Sequence, residues 1–577
     1  MDNKKQLMAL ALCGMVSVAQ AGEKEDLLKL RNTTTNLIKE LVKQGILTEK
    51  IADEMIKKAE EEAEAQTAEQ SAKNAGVAAE PGEIRVPYVP EFVKDEIRQQ
   101  VRSELRADVV SDVMQQAKTQ KWGMPEALPE WISRFKISGD LRLRSQNDFM
   151  SSDNAMFPSS NFQNVQAINQ AGGVNAAGLN GFINTSEDRH RFRERLRLAI
   201  DADVAEGLKA GIRLATGNMP DPVSTNQTLG NTGSQYEFNL DRAFLKYDAV
   251  NEQGFKWLTV AGGRIANPWY VGGGEFTGGS ELVWDTDLSF EGFAATYRYS
   301  LDSMSPQETR HHDDHQGAQV NRHSVFATVG AFPLEEFDVS SNDKWLFGGQ
   351  VGVDWGFQNQ DALKAAIAYY DYQNIEARVN TTDTHECFRN TVDNNASMPR
   401  YMQGGNTVAG ICTEDATGQT FGMYGLAADY NIVNVNVAYD LAKFAPYHVI
   451  FSADYAKNVG FDSSDVRARR VLGLNPAVED QTNAWQVRAD VGWPKVDRFG
   501  KWNVFTLYKY VERDAVLDAY TDSDFHLGGT NAKGWVVGGN YGLMKNVWFT
   551  GRWLSTDAIS GSNYGNDILQ LDVNTRF

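Results

Sequence analysis

Cysteine, positive charge and long apolar runs are all scarce in this chain. Only 3 cysteines occur among 577 residues, which excludes a disulfide-stapled scaffold and a thiolate metal cluster. Lys and Arg number 56 against 76 Asp and Glu, giving a net charge of −20 that argues against a nucleic-acid partner. Beyond the first segment no apolar run reaches the ~20 residues that a membrane-crossing helix needs. No Gly-x-Ser-x-Gly elbow or phosphate-binding loop occurs, and nothing calls for a cofactor or a metal. Glycine and aromatic residues are present instead, 50 glycines and 11% aromatics, which suits many tight turns and interfacial rings.

Residues 1–21 have the build of a signal peptide. Lys4 and Lys5 open it, Leu7 to Val18 form the apolar segment, and Ala19-Gln20-Ala21 is a small-residue cleavage site. A lipid anchor on Cys13 is disfavoured by bulky Leu12 before it. The exported chain is expected to pair Cys387 with Cys412. Closing that loop of about 25 residues is worth roughly 3 kcal/mol in the chain-entropy model. His385 is the only softer metal ligand close to the pair, and the cluster His311-His312-Asp313-Asp314-His315 reads as a solvated loop.

Residues 22–66 follow a helical period, with Leu27, Leu30, Thr34, Leu37 and Leu41 on one stripe. They predict a periplasmic helical hairpin or coiled coil. Residues 67–90 read as a linker, and 91–131 as a second periplasmic helix lined by Val93, Ile97, Val101 and Leu105. This extension reads either as a periplasmic module for oligomerisation or for contact with peptidoglycan or another periplasmic component, or as a solvated spacer with weak self-association.

At Phe135 the period changes to 2. In Val433-Asn434-Val435-Asn436-Val437 the valines share one face and the asparagines the other. Trp485, Val487, Ala489, Val491 and Trp493 oppose Gln486, Arg488 and Asp490, which puts tryptophan at both ends of an apolar face. The last stretch alternates Leu569, Leu571, Val573, Thr575 and Phe577 against Gln570, Asp572, Asn574 and Arg576. Residues 132–577 therefore predict an all-β transmembrane barrel of about 16 antiparallel strands. Phe577 ends the strand that must close it, because an open edge cannot persist in lipid. Long connections near 146–188, 218–237, 265–286, 373–420, 458–482 and 512–532 alternate with short ones, which places both ends of the barrel in the periplasm. The stretch 301–321 is an exception, since it is long where a short turn is expected. A secreted β-sandwich is the competing architecture, but it would not need aromatic ends on outward faces.

Basic residues recur on one parity. Arg142, Arg144, Arg193, Arg195, Arg197, Arg213, Arg242, Lys246, Arg264 and Arg298 are candidate pore-lining groups, because an arginine facing lipid costs about 2–4 kcal/mol near the midplane. The third long loop carries Glu275, Glu281, Asp285 and Asp287 after a glycine-rich bend. Folded inward, it would oppose the arginines across a constriction. The alternative is that the arginines only form a structural ladder with acids such as Asp140 and Asp241.

The stretch from Val86 through Trp131, then Ser138-Gly139-Asp140-Leu141-Arg142-Leu143-Arg144, resembles the putative porin family of Gram-negative bacteria. So do Gly263-Arg264 with Asn267-Pro268-Trp269, Glu281-Leu282-Val283-Trp284-Asp285, and Phe290-Glu291-Gly292. The resemblance covers 86–577 as an order of features, and the connection at 301–321 departs from it. It implies a passive outer-membrane channel for small hydrophilic solutes, without fixing which. The expected partners are outer-membrane lipid, the barrel-assembly machinery through the C-terminal strand, and two further copies in a homotrimer. Two other readings compete. One is an adhesin or envelope tether with a blocked lumen. The other is an outer-membrane hydrolase using His190 or His526 with Asp188 or Asp524.

Overall fold

The computed structural model describes residues 132–577 apart from 275, 278, 303–322, 338–340, 381–393, 412–422 and 470–477. The expected leader, helical extension and linker, the Cys387–Cys412 pair, Glu275 and the histidine cluster at 311–315 therefore lie outside the described residues.

The change of period at Phe135 coincides with the first strand. In order the strands are β1 Phe135–Met150, β2 Arg189–Ala205, β3 Leu208–Ala215, β4 Asn239–Val250, β5 Lys256–Ala266, β6 Ser289–Ser300, β7 His323–Glu335 and β8 Lys344–Gly356. There follow β9 Ala362–Gln373, β10 Asn431–Leu441, β11 His448–Asn458, β12 Asn483–Gly492, β13 Trp502–Val511, β14 Ala532–Met544, β15 Val547–Ala558 and β16 Gly565–Arg576. Each pairs antiparallel with the next, and β1 pairs with β16 from Asp140↔Arg576 to Met150↔Asn566. The result is a closed 16-strand antiparallel barrel. A two-residue strand, Gln227–Thr228, borders β2 beyond the end of β3.

Alternation decides which face is which. Leu143, Phe149, Phe293, Val487, Val491 and Val573 are exposed on the outer surface. Their neighbours Arg144, Gln146, Asp148, Gln486, Asp490 and Asp572 are buried on the inner one. A monomeric water-soluble protein does not expose a continuous apolar belt of this extent, whereas a hydrocarbon environment requires one. Aromatic rings bracket the belt as expected. Trp485 stacks on Tyr510 at one end of β12, with centroids 6.0 Å apart, and Trp493 meets Tyr447 at 5.7 Å beyond the other.

Phe577 lies at the seam between β1 and β16. Phe577 N–H donates to Gly139 O, and Gly139 N–H to Phe577 O, both at 3.0 Å. The Phe577 ring lies over Gly139, where an added Cβ would stand 2.6 Å from the ring. Glycine is what lets the terminal ring sit against the first strand.

Connections at the end bearing the seam are mostly tight, such as 206–207 and 545–546. At that end β6 stops at Ser300 and β7 starts at His323, so the strand count is intact across this connection. At the opposite end loop 1 spans 151–188, loop 2 216–238, loop 3 267–288, loop 5 374–430, loop 6 459–482 and loop 7 512–531. The two remaining connections there, loop 4 (336–343) and loop 8 (559–564), are short. Loops 3, 5 and 7 share one apolar core that includes Leu282, Trp284, Ile411, Leu426, Val516 and Leu517. Burying these side chains offsets the entropy of ordering the loops.

Candidate functional site

The register of β1 on β2 lines arginines up side by side. Arg142 lies opposite Arg195, Arg144 opposite Arg193, and Asp140 opposite Arg197. Directly opposed like charges repel, so the arrangement persists only with acids interleaved. Asp140 accepts from Arg197 Nε at 2.8 Å and from Arg195 at 2.9 Å. Arg144 is gripped from two sides. Its Nε donates to Asp572 at 2.8 Å and a terminal nitrogen donates to Asp524 of loop 7 at 3.0 Å. Arg213 of β3 pairs with Asp241, which stands beside a register shift in β4.

Other arginines of this arc lack a carboxylate at ion-pair distance among the described residues. Arg142 donates to Asn226. Arg193 donates to Ser224 Oγ at 3.3 Å and Gln146 Oε1 at 3.4 Å. Arg242 donates to Ser289 Oγ at 3.2 Å. The Nε atoms of Arg142, Arg193 and Arg195 and a terminal nitrogen of Arg213 are buried with no partner among the described residues. This arc therefore holds a surplus of guanidinium donors.

Loop 3 bonds to inner-face residues of β8, β11 and β13. Trp269 packs on Tyr370 at 5.2 Å, above Gly348, where a Cβ would stand 2.7 Å from the indole. Tyr270 N–H donates to Gln350 Oε1 at 2.8 Å, and Gln350 Nε2 donates back to Tyr270 O at 2.9 Å. The loop then crosses to the far wall. Phe276 O accepts from Asn503 Nδ2 at 2.8 Å, and Ser280 Oγ donates to Asp454 at 2.5 Å. It returns along loop 7, with Thr521 Oγ1 donating to Leu282 O at 2.9 Å and Asp285 N–H to Tyr520 O at 2.8 Å.

Its acids do not share one role. Asp287 accepts from Arg197 at 3.0 Å and Arg195 at 3.4 Å. Burial pushes its pKa up, but Arg195, Arg197 and Arg142 outweigh that and hold it below the usual carboxylate range. Asp524 behaves alike, with Arg144 and Arg552 overcoming burial. Asp285 accepts from Ser523 N–H at 2.9 Å, and burial beside Glu281 and Asp287 pushes its pKa well up. Glu281 accepts from Thr286 Oγ1 at 2.8 Å, and burial with Asp522 nearby raises it as well. Of the three described loop 3 acids, Asp287 is the one that meets the arginines of β2 directly.

Two outlying basic residues keep the inward parity. Lys246 lies 3.6 Å from Asp248, and Arg298 stands over the Phe326 ring at 5.7 Å. Arg264 departs from the expectation and does not line the lumen. It pairs across with Ala243 and Glu291, on the parity of outward Leu245 and Phe293. It sits at the loop end of β5, bonded to Glu291 at 2.5 Å and to Asp241 O at 2.7 Å. Near an interface a charge on the outer face is inexpensive.

Among the described residues, His190 and His526 do not share a hydrogen bond with the aspartates named beside them. His526 Nδ1 shares a hydrogen bond with Thr556 Oγ1 at 2.9 Å, and burial lowers its pKa to about 4. The Asp524 carboxylate is already held by Arg144 and Arg552. His190 faces outward beside Ser145 at 3.3 Å, while Asp188 accepts from Met150 N–H.

Sequence reasoning missed Asp524 and Asp572 as partners of Arg144. For Asp572 the signal was present, since it shares the inward parity of the closing strand. Asn226 and Ser224 carried none, because loop 2 has no periodicity.

A family model described as putative porin matches residues 31–577. A comparison with curated proteins finds no match. Among solved structures, OprB of Pseudomonas putida is similar at 11% identity, over 79% of this chain and 97% of that one, with a TM-score of 0.42. The outer-membrane channel DcaP of Acinetobacter baumannii is similar at 10% identity, over 77% and 98%, with a TM-score of 0.37. OmpF of Salmonella typhi, in complex with daunomycin, is similar at 11% identity, over 77% and 97%, also at 0.37.

Proposed function

The chain belongs to the putative porin family, and from that premise we propose that it is an outer-membrane channel for passive diffusion of small hydrophilic solutes, with a preference for anions. One observation carries the anion preference. On the inner face of β1–β4, guanidiniums outnumber the carboxylates that meet them, and buried donors at Arg142, Arg193, Arg195 and Arg213 have no partner among the described residues. Charge of one sign on a lumen wall with low-dielectric surroundings raises the local concentration of the opposite ion. Loop 3 narrows the path, and Asp287 trims the surplus without cancelling it.

A tether with a blocked lumen has one observation in its favour, the apolar core that loops 3, 5 and 7 build together. A single experiment separates the two readings. Purified full-length protein in a planar bilayer should give stepwise conductance, with a reversal potential shifted toward chloride in a KCl gradient. A bilayer that stays silent after verified insertion would leave the tether standing and remove the channel.

A further inference from the structure

One charged residue stands where the lipid-facing belt should be unbroken. Glu194 of β2 has the outward parity of exposed Phe192, and it lies across from exposed Leu143 of β1. It is the sixth residue of β2 from the loop end, whereas every other charged residue on the outward parity of the described strands lies within three of a strand end. Its carboxylate has no hydrogen-bond or ion-pair partner among the described residues. Acyl chains offer it no counter-charge and no donor. We propose that the outer face of β2–β5 docks on the same face of a second copy of this chain, with Glu194 of one copy meeting Arg264 of the other.

Arg264 is the complement. Its Nε donates to Asp241 O and one terminal nitrogen to Glu291, while the second terminal nitrogen has no partner among the described residues. The side chain is 30% exposed on the same outer face. Within one copy the two cannot meet. Register places Arg264 across from Ala243, Ile212 and Ile200 in turn, which is six positions along β2 from Glu194 and three strands away. That is about 20 Å along the strand and about 14 Å across.

Between two copies the geometry is favourable. Counted from the loop ends, which share one margin of the membrane, Arg264 is third and Glu194 sixth. Their depths therefore differ by about 10 Å or less, which two long side chains can span. A rotation about the membrane normal preserves depth and sets the β2 side of one face against the β5 side of the next. Assemblies of identical chains are built by such rotations.

The surface between the two charges suits a protein neighbour. Ile212, Leu240 and Leu245 are exposed on it, and loop 2 adds exposed Leu229 and Phe238 past the strand ends. Leu229 is tied to this face, because its N–H donates to Phe192 O at 2.9 Å. Apolar side chains around a charge pair that they shield from water are the usual make-up of an interface core.

The test keeps the full-length chain. p-Benzoylphenylalanine placed at Ile212 and photolysed in native membranes should give crosslinks between copies of this chain. The same group at Val487 of β12, also exposed, should give none. In a detergent dilution series read by native mass spectrometry, Glu194→Lys should weaken assembly about 10-fold, because it sets two cations together. Adding Arg264→Glu should recover most of that loss. Glu194→Leu, which suits lipid, should also weaken assembly, although less. Single copies at every concentration, equal crosslinking from both positions, crosslinks from Ile212 only to lipid or to another protein, or assembly unmoved by Glu194→Lys would each overturn the assignment. If a charge variant fails to fold, the two crosslinking positions on the otherwise native chain still decide.

Discussion

Two arcs of one wall treat their polar residues differently. On β1–β4 the inner face is built of arginines that, Arg144 apart, keep part of their side chains in contact with solvent; the Arg197 side chain is 18% exposed. On β10–β13 it is built largely of amides and acids, Asn434, Asn436, Asp454, Gln486, Asp490 and Asn503, all nearly inaccessible. Here Asn436 donates to Asn434 and Asn434 to Asp454, each at 2.6 Å, and loop 3 closes the chain through Ser280. Compact groups can be satisfied by one another under a loop, whereas a bank of guanidiniums holds more donors than nearby acids can accept. The difference teaches that loop 3 leans on the side that can be sealed and leaves the charged side facing the path.

The strongest way to break this contrast is at its one buried arginine. Arg144→Ala leaves Asp524 and Asp572 without their shared cation, and should destabilise the barrel by about 3–5 kcal/mol. Denaturant unfolding from lipid vesicles measures it, and an unchanged midpoint would show that the ion pairs are decorative. Next in size is the effect on selectivity. Replacing Arg142, Arg193 and Arg242 together with Gln should carry the reversal potential most of the way to that of a non-selective pore. Because these three have no carboxylate at ion-pair distance among the described residues, folding should tolerate the change better than loss of Arg144. A reversal potential that does not move would reduce the arginines to scaffolding. A smaller change is expected from the sealed arc. Asn436→Asp should shift the reversal potential far less than Arg193→Gln alone; an equal shift would mean that the path runs along both arcs.

The smallest effect concerns pH. Burial raises the Asp518 pKa to about 7, with Asp514 adding to the rise, against 3.8 for the free carboxyl. The folded loops therefore bind this proton more tightly than the unfolded chain does. The stability tied to Asp518 is present in full below pH ~4 and is lost as pH rises through about 7. Protection factors of the amides in 404 and 514–520, with the base-catalysed rise in intrinsic exchange divided out, should fall over that range, and Asp518→Asn should flatten the trend.

Alternation made much of the wall legible. The alternation of Arg142, Arg193 and Arg213 with apolar neighbours and the aromatic ends of β12 follow from side-chain period and from the expense of charge in lipid. Arg264 was misread because its charge was given more weight than its register. It follows Gly262 and Gly263, which carry no side chain to declare a face, and Gly263 has a φ of +105°. The inner side of β13 was hidden for the opposite reason. Phe505 and Leu507 point inward toward Phe525 of loop 7 while Val504 points out, so both faces are apolar and the period carries no contrast. Loop partners such as Asn226 were beyond reach because irregular backbone leaves no spacing to read.

The pairing of Arg144 with Asp572 joins positions 428 residues apart. Until both have been delivered to the membrane, each margin of the sheet carries an unmet row of amides, and the guanidinium has only water for company. A product interrupted anywhere between them cannot acquire that contact or close the sheet, so a truncated chain is expected to be cut by added protease faster than the uninterrupted one.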